Sequence, residues 1–175
     1  MIGNEMSGLK QRLTNERWTT ILLVLRLPLR IHPMHEALPD KLWIGNARDA
    51  RDLRSLYDHQ ISAVVDLAIN EPPAQLAHDM VYVRVPLTDG DDNADERITM
   101  AIRSLLLLLD QDFRILVACS AGMSRSPAIA AAALAIVTKQ SPEECLLSIT
   151  SGAPHDVSPS FWSGVKSVYD QLNGQ

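Results

Sequence analysis

The sequence of 175 residues has little cysteine and no excess of basic charge. Its two cysteines, Cys119 and Cys145, are too few for a disulfide framework, which favours a reducing compartment, so we expect a cytoplasmic protein. A net charge of -5 provides no global attraction to nucleic-acid phosphates or to anionic membrane surfaces. We therefore expect neither a nucleic-acid partner nor stable membrane association.

The sequence also lacks an unbroken apolar run of membrane-spanning length. The apolar stretch from Trp18 to Ile31 is interrupted by Arg26, Pro28 and Arg30. It is also shorter than the roughly 20 residues that a transmembrane helix needs. A secretory signal would require an uncharged apolar core as well. We therefore predict a buried strand or a packing arm for this stretch.

The chain divides into an N-terminal extension, residues 1–37, and one domain, residues 38–175. A length of 175 residues suits a single hydrophobic core. Apolar or β-branched runs predict strands at residues 38–44, 62–68, 81–85 and 114–118, with a turn at Gly45. Helical patterns occupy residues 47–59, 93–110 and 124–140, and two more helices follow.

Three helix starts carry recognisable capping residues. Asn93 is followed three positions later by Glu96, and Ser141 by Glu144, which are capping-box patterns. Ser158 precedes a proline, which is pre-organised for the first helical position. The alternation of strands and helices predicts an α/β fold with a mostly parallel central sheet flanked by helices.

The chemistry is concentrated between a predicted strand and a predicted helix. This signature loop comprises Cys119, Ser120, Ala121, Gly122, Met123, Ser124, Arg125 and Ser126. Small residues at a helix N-terminus can turn successive amides towards an anion. A cysteine beside such a helix end and a cation is readily ionised to a nucleophilic thiolate. Arg125 offers a planar fork that grips two phosphate oxygens.

These residues resemble the signature loop of the cysteine-dependent protein tyrosine phosphatases, and the G-x-S-R-S form is similar to their dual-specificity branch. The resemblance extends to LPDKLWIGNARDA, ISAVVDLA, VPLTDG and SPSFW, and covers roughly residues 38–172. It implies a tyrosine-phosphatase-like fold. It also implies hydrolysis of phosphomonoesters in two steps through a phosphocysteine, with neither a metal nor a cofactor.

The resemblance also assigns roles to residues of this chain. Cys119 is the nucleophile, Arg125 the phosphate clamp, and Ser126 the hydrogen-bond donor that helps the sulfur leave. The phosphate cradle consists of the amides of Ser120, Ala121, Gly122, Met123, Ser124 and Arg125. The general acid is an aspartate upstream, either Asp89, which follows VPLT and lies 30 residues before Cys119, or Asp92.

The chain departs from the family pattern at two positions. Ala118 occupies the place where the family usually has histidine. We therefore expect a weaker thiolate that depends more on the amides, Arg125 and Ser126, and a reduced activity. Ser160 stands where relatives often carry asparagine.

The expected substrate is a phosphorylated protein, with phosphotyrosine favoured and phosphoserine or phosphothreonine also considered. The loop contains no lysine of the kind found in relatives that act on phosphoinositides. Two alternatives stay open, a phosphoinositide phosphatase and a catalytically weak module that only binds phosphoproteins. The five histidines show no ligand spacing with cysteine, so we predict no metal site. On its predicted helix, Cys145 is expected to be a small buried apolar residue.

Overall fold

The computed structural model describes residues 34–174, which are built around one five-stranded sheet. Its strands are β1 (His35–Leu38), β2 (Leu42–Asn46), β3 (Ala63–Asp66), β4 (Val81–Arg84) and β5 (Ile115–Cys119). They lie in the order β1-β2-β5-β3-β4. Strand β1 is antiparallel to β2, and the remaining neighbours are parallel. The predicted α/β fold with a mostly parallel sheet is confirmed.

Five α-helices and a short 3-10 helix, Asp49–Arg51, accompany the sheet within the described residues. The α-helices are α1 (Leu53–Asp58), α2 (Asp95–Asp110), α3 (Arg125–Thr138), α4 (Pro142–Thr150) and α5 (Pro159–Asn173). The central strand β5 is buried throughout, as expected for a parallel strand covered on both faces. Its residues Ile115, Val117 and Cys119 join the larger apolar core with α2 to α5, whereas Leu116 and Ala118 face a smaller cluster that includes α1.

Helix α3 packs closely because its buried face consists mainly of alanines. Alanine also has the highest intrinsic helix propensity. The helix can therefore approach the sheet and the neighbouring helices α2, α4 and α5 closely, because most of its own buried side chains are small. This packing holds the first turn of α3 directly after the end of β5.

Two local predictions were wrong, and one strand was missed. Gly45 does not form a turn but lies inside β2. The helix predicted over residues 47–59 is two separate pieces, because the Asp52 side chain accepts a hydrogen bond from the Ser55 amide and starts α1 there. The antiparallel strand β1 was not predicted at all, and it begins at His35, before the predicted domain start at residue 38. The boundary between extension and domain stays a prediction.

The capping box predicted at Asn93 is also wrong. The N-cap of α2 is Ala94, which has no capping side chain. The Asn93 carboxamide instead accepts a hydrogen bond from the Thr88 amide at 2.8 Å and donates to the carbonyls of Thr88 and Gly90. Asn93 therefore closes the loop that carries Asp89, a local use of asparagine that competes with helix capping.

No helix within residues 34–174 has the length and apolar character required to cross a membrane. The prediction for Trp18 to Ile31 falls on residues outside the described part of the chain.

Ser141→Ala should lower the free energy of unfolding by about 1 kcal/mol, the usual cost of losing an N-cap side chain. The Ser141 hydroxyl accepts a hydrogen bond from the Glu144 amide at 3.2 Å, and the Glu144 carboxylate accepts one from the Ser141 amide at 3.0 Å. The Ser141 hydroxyl also donates to the Glu144 carboxylate at 2.8 Å, and the two bonds that this carboxylate accepts from Ser141 hold the pKa of Glu144 below its ordinary value. The carboxylate part of the cap is therefore present at neutral pH and is lost as the pH falls through that lowered pKa.

Ser158→Ala is the matched control, because Ser158 also precedes a proline at a helix start but makes no side-chain cap. Its hydroxyl contacts that of Ser160 at 3.0 Å instead. Urea denaturation of both variants at pH 7 measures the difference. Equal losses of stability in the two variants would contradict the N-cap role of the Ser141 side chain.

Candidate active site

The signature loop lies where β5 ends and α3 begins. Cys119 is the last residue of β5, which lies between β2 and β3, and Arg125 is the first residue of α3. Ligand sites of open α/β sheets lie at this carboxyl edge of the strands. The N-terminus of α3 also favours negative charge there, because its first amides have no partner inside the helix.

The Cys119 sulfur is buried and contacts one backbone amide and one hydroxyl of its own loop. The Gly122 amide donates to it at 3.3 Å, and the Ser126 hydroxyl lies 3.3 Å away. The same hydroxyl lies 3.4 Å from the Gly45 carbonyl oxygen. A serine hydroxyl has one proton to donate. When Cys119 is a neutral thiol, the Ser126 hydroxyl can donate to the Gly45 carbonyl, and when Cys119 is a thiolate, it can donate to the sulfur. Ser126 is therefore placed to stabilise negative charge on Cys119.

The bend of the signature loop depends on a contact between two glycines. Gly122 has a φ of 77°, and a Cβ there would lie 2.9 Å from the backbone carbon and oxygen of Gly45. A Cβ on Gly45 would in turn lie 2.8 Å from Asp49 Oδ2. Both positions therefore exclude a side chain. Gly122 does so by its backbone conformation and by the close approach of Gly45, and Gly45 does so by close approach alone.

Arg125 is buried, and two of its three guanidinium nitrogens are held. Nη1 donates to the Leu87 carbonyl at 2.9 Å, and Nη2 donates to the Ser120 hydroxyl at 2.9 Å. Its buried Nε has no hydrogen-bond partner within residues 34–174. A buried donor without a partner is costly, so its presence on the same loop as Cys119 fits a site built for an anion.

The structure brings Asp89 onto the signature loop. The Ser124 hydroxyl donates to Asp89 Oδ1 at 2.6 Å, the length of a charge-assisted bond. The same hydroxyl oxygen accepts from the Ser158 amide at 3.2 Å, which ties the loop to the start of α5. Asp92 is exposed and makes no hydrogen bond to the loop within the described residues. Of the two aspartates, the geometry favours Asp89.

Residues on the far side of the loop support it from the end of β2. The Asn46 side chain accepts from the Arg48 amide at 2.8 Å, and the Ala47 amide donates to the Ser120 carbonyl at 3.4 Å. Asp49 accepts from the Asn46 amide at 2.8 Å, and burial raises the pKa of its carboxyl. These residues lie in the stretch LPDKLWIGNARDA, but nothing in the sequence pattern predicted their contacts with the signature loop.

Ala118 lies on the face of the sheet opposite the larger core. It is paired in register with Asp66, a fully buried carboxylate. Asp66 accepts hydrogen bonds from the Tyr82 hydroxyl at 2.6 Å and from the Ala68 amide at 2.9 Å. Burial and the Asp66 carboxylate raise the pKa of Tyr82. A polar network therefore lies beside the position where the family usually has histidine.

The remaining candidates have simpler surroundings. Ala121 is exposed and Met123 half-buried, and the Met123 carbonyl accepts from the Asp156 amide at 2.9 Å. Cys145 is buried in α4 near Thr138, as predicted for an apolar packing residue. In the part of the chain that the structure describes, no three histidine, cysteine or carboxylate side chains are grouped to hold a metal ion.

A family model described as the dual specificity phosphatase catalytic domain matches residues 42–171. The chain belongs to this family. The dual specificity phosphatase domain thus includes β2 to α5 and the entire signature loop, in agreement with the resemblance found in the sequence.

Individual relatives agree with the family assignment. The chain is 30% identical over 111 residues to zebrafish dual specificity protein phosphatase 22-A and 31% identical over 106 residues to human dual specificity protein phosphatase 15. These matches span 63% and 60% of this chain, but only 52% and 35% of the relatives' own length. A mouse structure described as a dual specificity phosphatase complexed with zinc tungstate has the same fold, with a TM-score of 0.72 and 24% identity over 82% of this chain and 90% of that one.

Gly122→Ala should lower kcat/KM on an aryl phosphate by about tenfold or more, equivalent to about 1.4 kcal/mol of transition-state stabilisation. The added Cβ meets the Gly45 backbone and displaces the amide that donates to Cys119. Gly152→Ala is the matched control, because Gly152 has a φ of 84° but open space around it. It should cost about 1 kcal/mol of stability through backbone strain and retain activity. Equal activities of the two variants would contradict the glycine contact.

Proposed function

We propose that this domain hydrolyses phosphomonoesters on phosphorylated proteins through a phosphocysteine at Cys119, without a metal or cofactor. The observation that carries the proposal is the arrangement around the sulfur. The Cys119 sulfur accepts a hydrogen bond from the Gly122 amide and faces the Ser126 hydroxyl, and the Arg125 guanidinium has an Nε donor without a partner among residues 34–174. This arrangement supports the proposed roles of Cys119 as nucleophile and Arg125 as phosphate clamp.

In the first step the thiolate attacks phosphorus, so the sulfur–phosphorus bond forms as the bond to the leaving oxygen breaks. Asp89, in its protonated form, gives its proton to that oxygen, which leaves as a neutral alcohol or phenol. Arg125 binds the phosphoryl oxygens by its fork and stabilises their charge.

In the second step water attacks the phosphocysteine, and the Asp89 carboxylate accepts a proton from that water. The sulfur leaves as a thiolate and receives a hydrogen bond from Ser126. The products are inorganic phosphate and the original enzyme, so the cycle is balanced without another reactant. Because the sulfur must be a free thiol, the proposal keeps the chain in a reducing compartment, and the cytoplasm is our expectation.

The proposed substrate is a phosphorylated protein, with phosphotyrosine favoured over phosphoserine and phosphothreonine. The loop side chains beside the site, Ala121 and Met123, are uncharged, and the net charge of -5 opposes polyanions such as phosphoinositides. The mouse relative's structure is a complex with zinc tungstate, and tungstate is a tetrahedral oxyanion like phosphate. Tungstate is therefore a suitable probe of this site.

Cys119→Ser should reduce hydrolysis of aryl phosphates in EDTA to the background rate. Asp89→Asn should lower kcat on phenyl phosphate by about 100-fold or more, the usual contribution of a general acid. Its effect on 4-nitrophenyl phosphate should be smaller, because that leaving group needs less protonation. Asp92→Asn is the matched control on the same loop and should behave as the unmodified protein. Initial rates on both esters provide the measurement.

Turnover that survives Cys119→Ser would overturn the proposal. Saturable binding of a phosphopeptide without hydrolysis would instead indicate that the domain is a phosphoprotein-binding module. A panel of phosphopeptides and phosphoinositides, assayed side by side, distinguishes a protein phosphatase from a lipid phosphatase.

A further inference from the structure

The loop between β3 and β4 brings a carboxylate to the signature loop. Ser120 donates a hydrogen bond from its hydroxyl to Glu71 Oε2 at 2.9 Å. The same hydroxyl oxygen accepts from Arg125 Nη2 at 2.9 Å. Glu71, Ser120 and Arg125 therefore form one hydrogen-bonded chain, and Glu71 has no part in the mechanism described above.

The direction of the bonds in this chain is fixed by proton count. A serine hydroxyl has one proton and two acceptor lone pairs, and a guanidinium has only donors. Because the Ser120 proton points to Glu71, a lone pair of Ser120 is left for Arg125. Without an acceptor at Glu71, the hydroxyl is free to rotate, and among the described residues the guanidinium then keeps the Leu87 carbonyl as its one fixed partner.

Glu71 is itself held in place by backbone contacts on both sides. The Arg84 guanidinium donates to the Glu71 carbonyl at 2.8 Å and to the Ala68 carbonyl at 3.1 Å. The Arg51 guanidinium bonds to the Pro72 carbonyl. The Glu71 side chain is half-buried rather than exposed. Its carboxylate is thus placed by an anchored segment, which distinguishes it from a solvated surface charge.

We propose that Glu71 is a positioning residue for the phosphate clamp, acting on Arg125 through Ser120. The proposal rests on the proposed function of the site and adds a residue to it. Glu71 holds the guanidinium in one orientation before the phosphoryl group arrives, so less freedom is lost on binding and in the transition state. The acceptor oxygen of Glu71 carries this role, and its charge is not required.

A double-mutant cycle tests the coupling. Glu71→Ala and Ser120→Ala should each lower kcat/KM on 4-nitrophenyl phosphate by about tenfold, and the double variant should lose no more than either single one. Glu71→Gln keeps an acceptor oxygen and should restore most of the activity. Gln75→Ala, an exposed position on the same loop, is the matched control and should have no effect.

A second readout does not need turnover. The same variants, each combined with Cys119→Ser, should bind tungstate in calorimetry with the same ranking as their kcat/KM values. Losses that multiply in the double variant, or a Glu71→Gln variant as impaired as Glu71→Ala, would overturn the positioning role. Turnover that persists in Cys119→Ser would instead overturn the proposed function, and the tungstate affinities would still decide the role of Glu71.

Discussion

The contact between the Gly45 and Gly122 backbones is the constraint on which the rest of the site depends. The loop must leave the buried strand β5, bend around the Cys119 sulfur and enter α3 within a few residues. Such a bend requires the positive φ of Gly122 and the absence of a side chain between the two backbones. The same contact places the Gly45 carbonyl beside Ser126. The Ser126 hydroxyl can therefore donate its proton either to this carbonyl of β2 or to the Cys119 sulfur.

Two serines of the loop connect it to carboxylates in the same manner. Ser120 donates to Glu71 and Ser124 donates to Asp89, and the carboxylate acceptor strengthens each bond. Negative charge near a phosphate site weakens anion binding, so such residues need a compensating role. For Asp89 that role is proton transfer in the proposed reaction. For Glu71 it is the orientation of Ser120 and thereby of Arg125.

The features of the fold and of the site that were predictable from the sequence are those whose geometry is local. The order of strand, small-residue loop and helix around Cys119 needs only neighbouring residues, as does the capping box of Ser141 and Glu144. Asn93 carried the same signal and was mispredicted. Its side chain could either cap the helix or close the preceding loop, and in the structure it accepts the Thr88 amide and closes the loop. Glu71 could not be predicted, because it meets Ser120 across 49 positions of sequence.

Sheet order explains why such distant residues meet. Strand β5 enters the sheet beside β3, and β4 lies on the far side of β3, all running parallel. The loops that follow β3 and β4 therefore leave from the same edge as the signature loop, one carrying Glu71 and the other Leu87 and Asp89. Ala118, by contrast, faces the smaller apolar cluster below the sheet. Arg125 is held by the Leu87 carbonyl, from the loop after β4, and by the Ser120 hydroxyl of the signature loop itself, so a loop without the usual histidine still has its guanidinium held at two nitrogens.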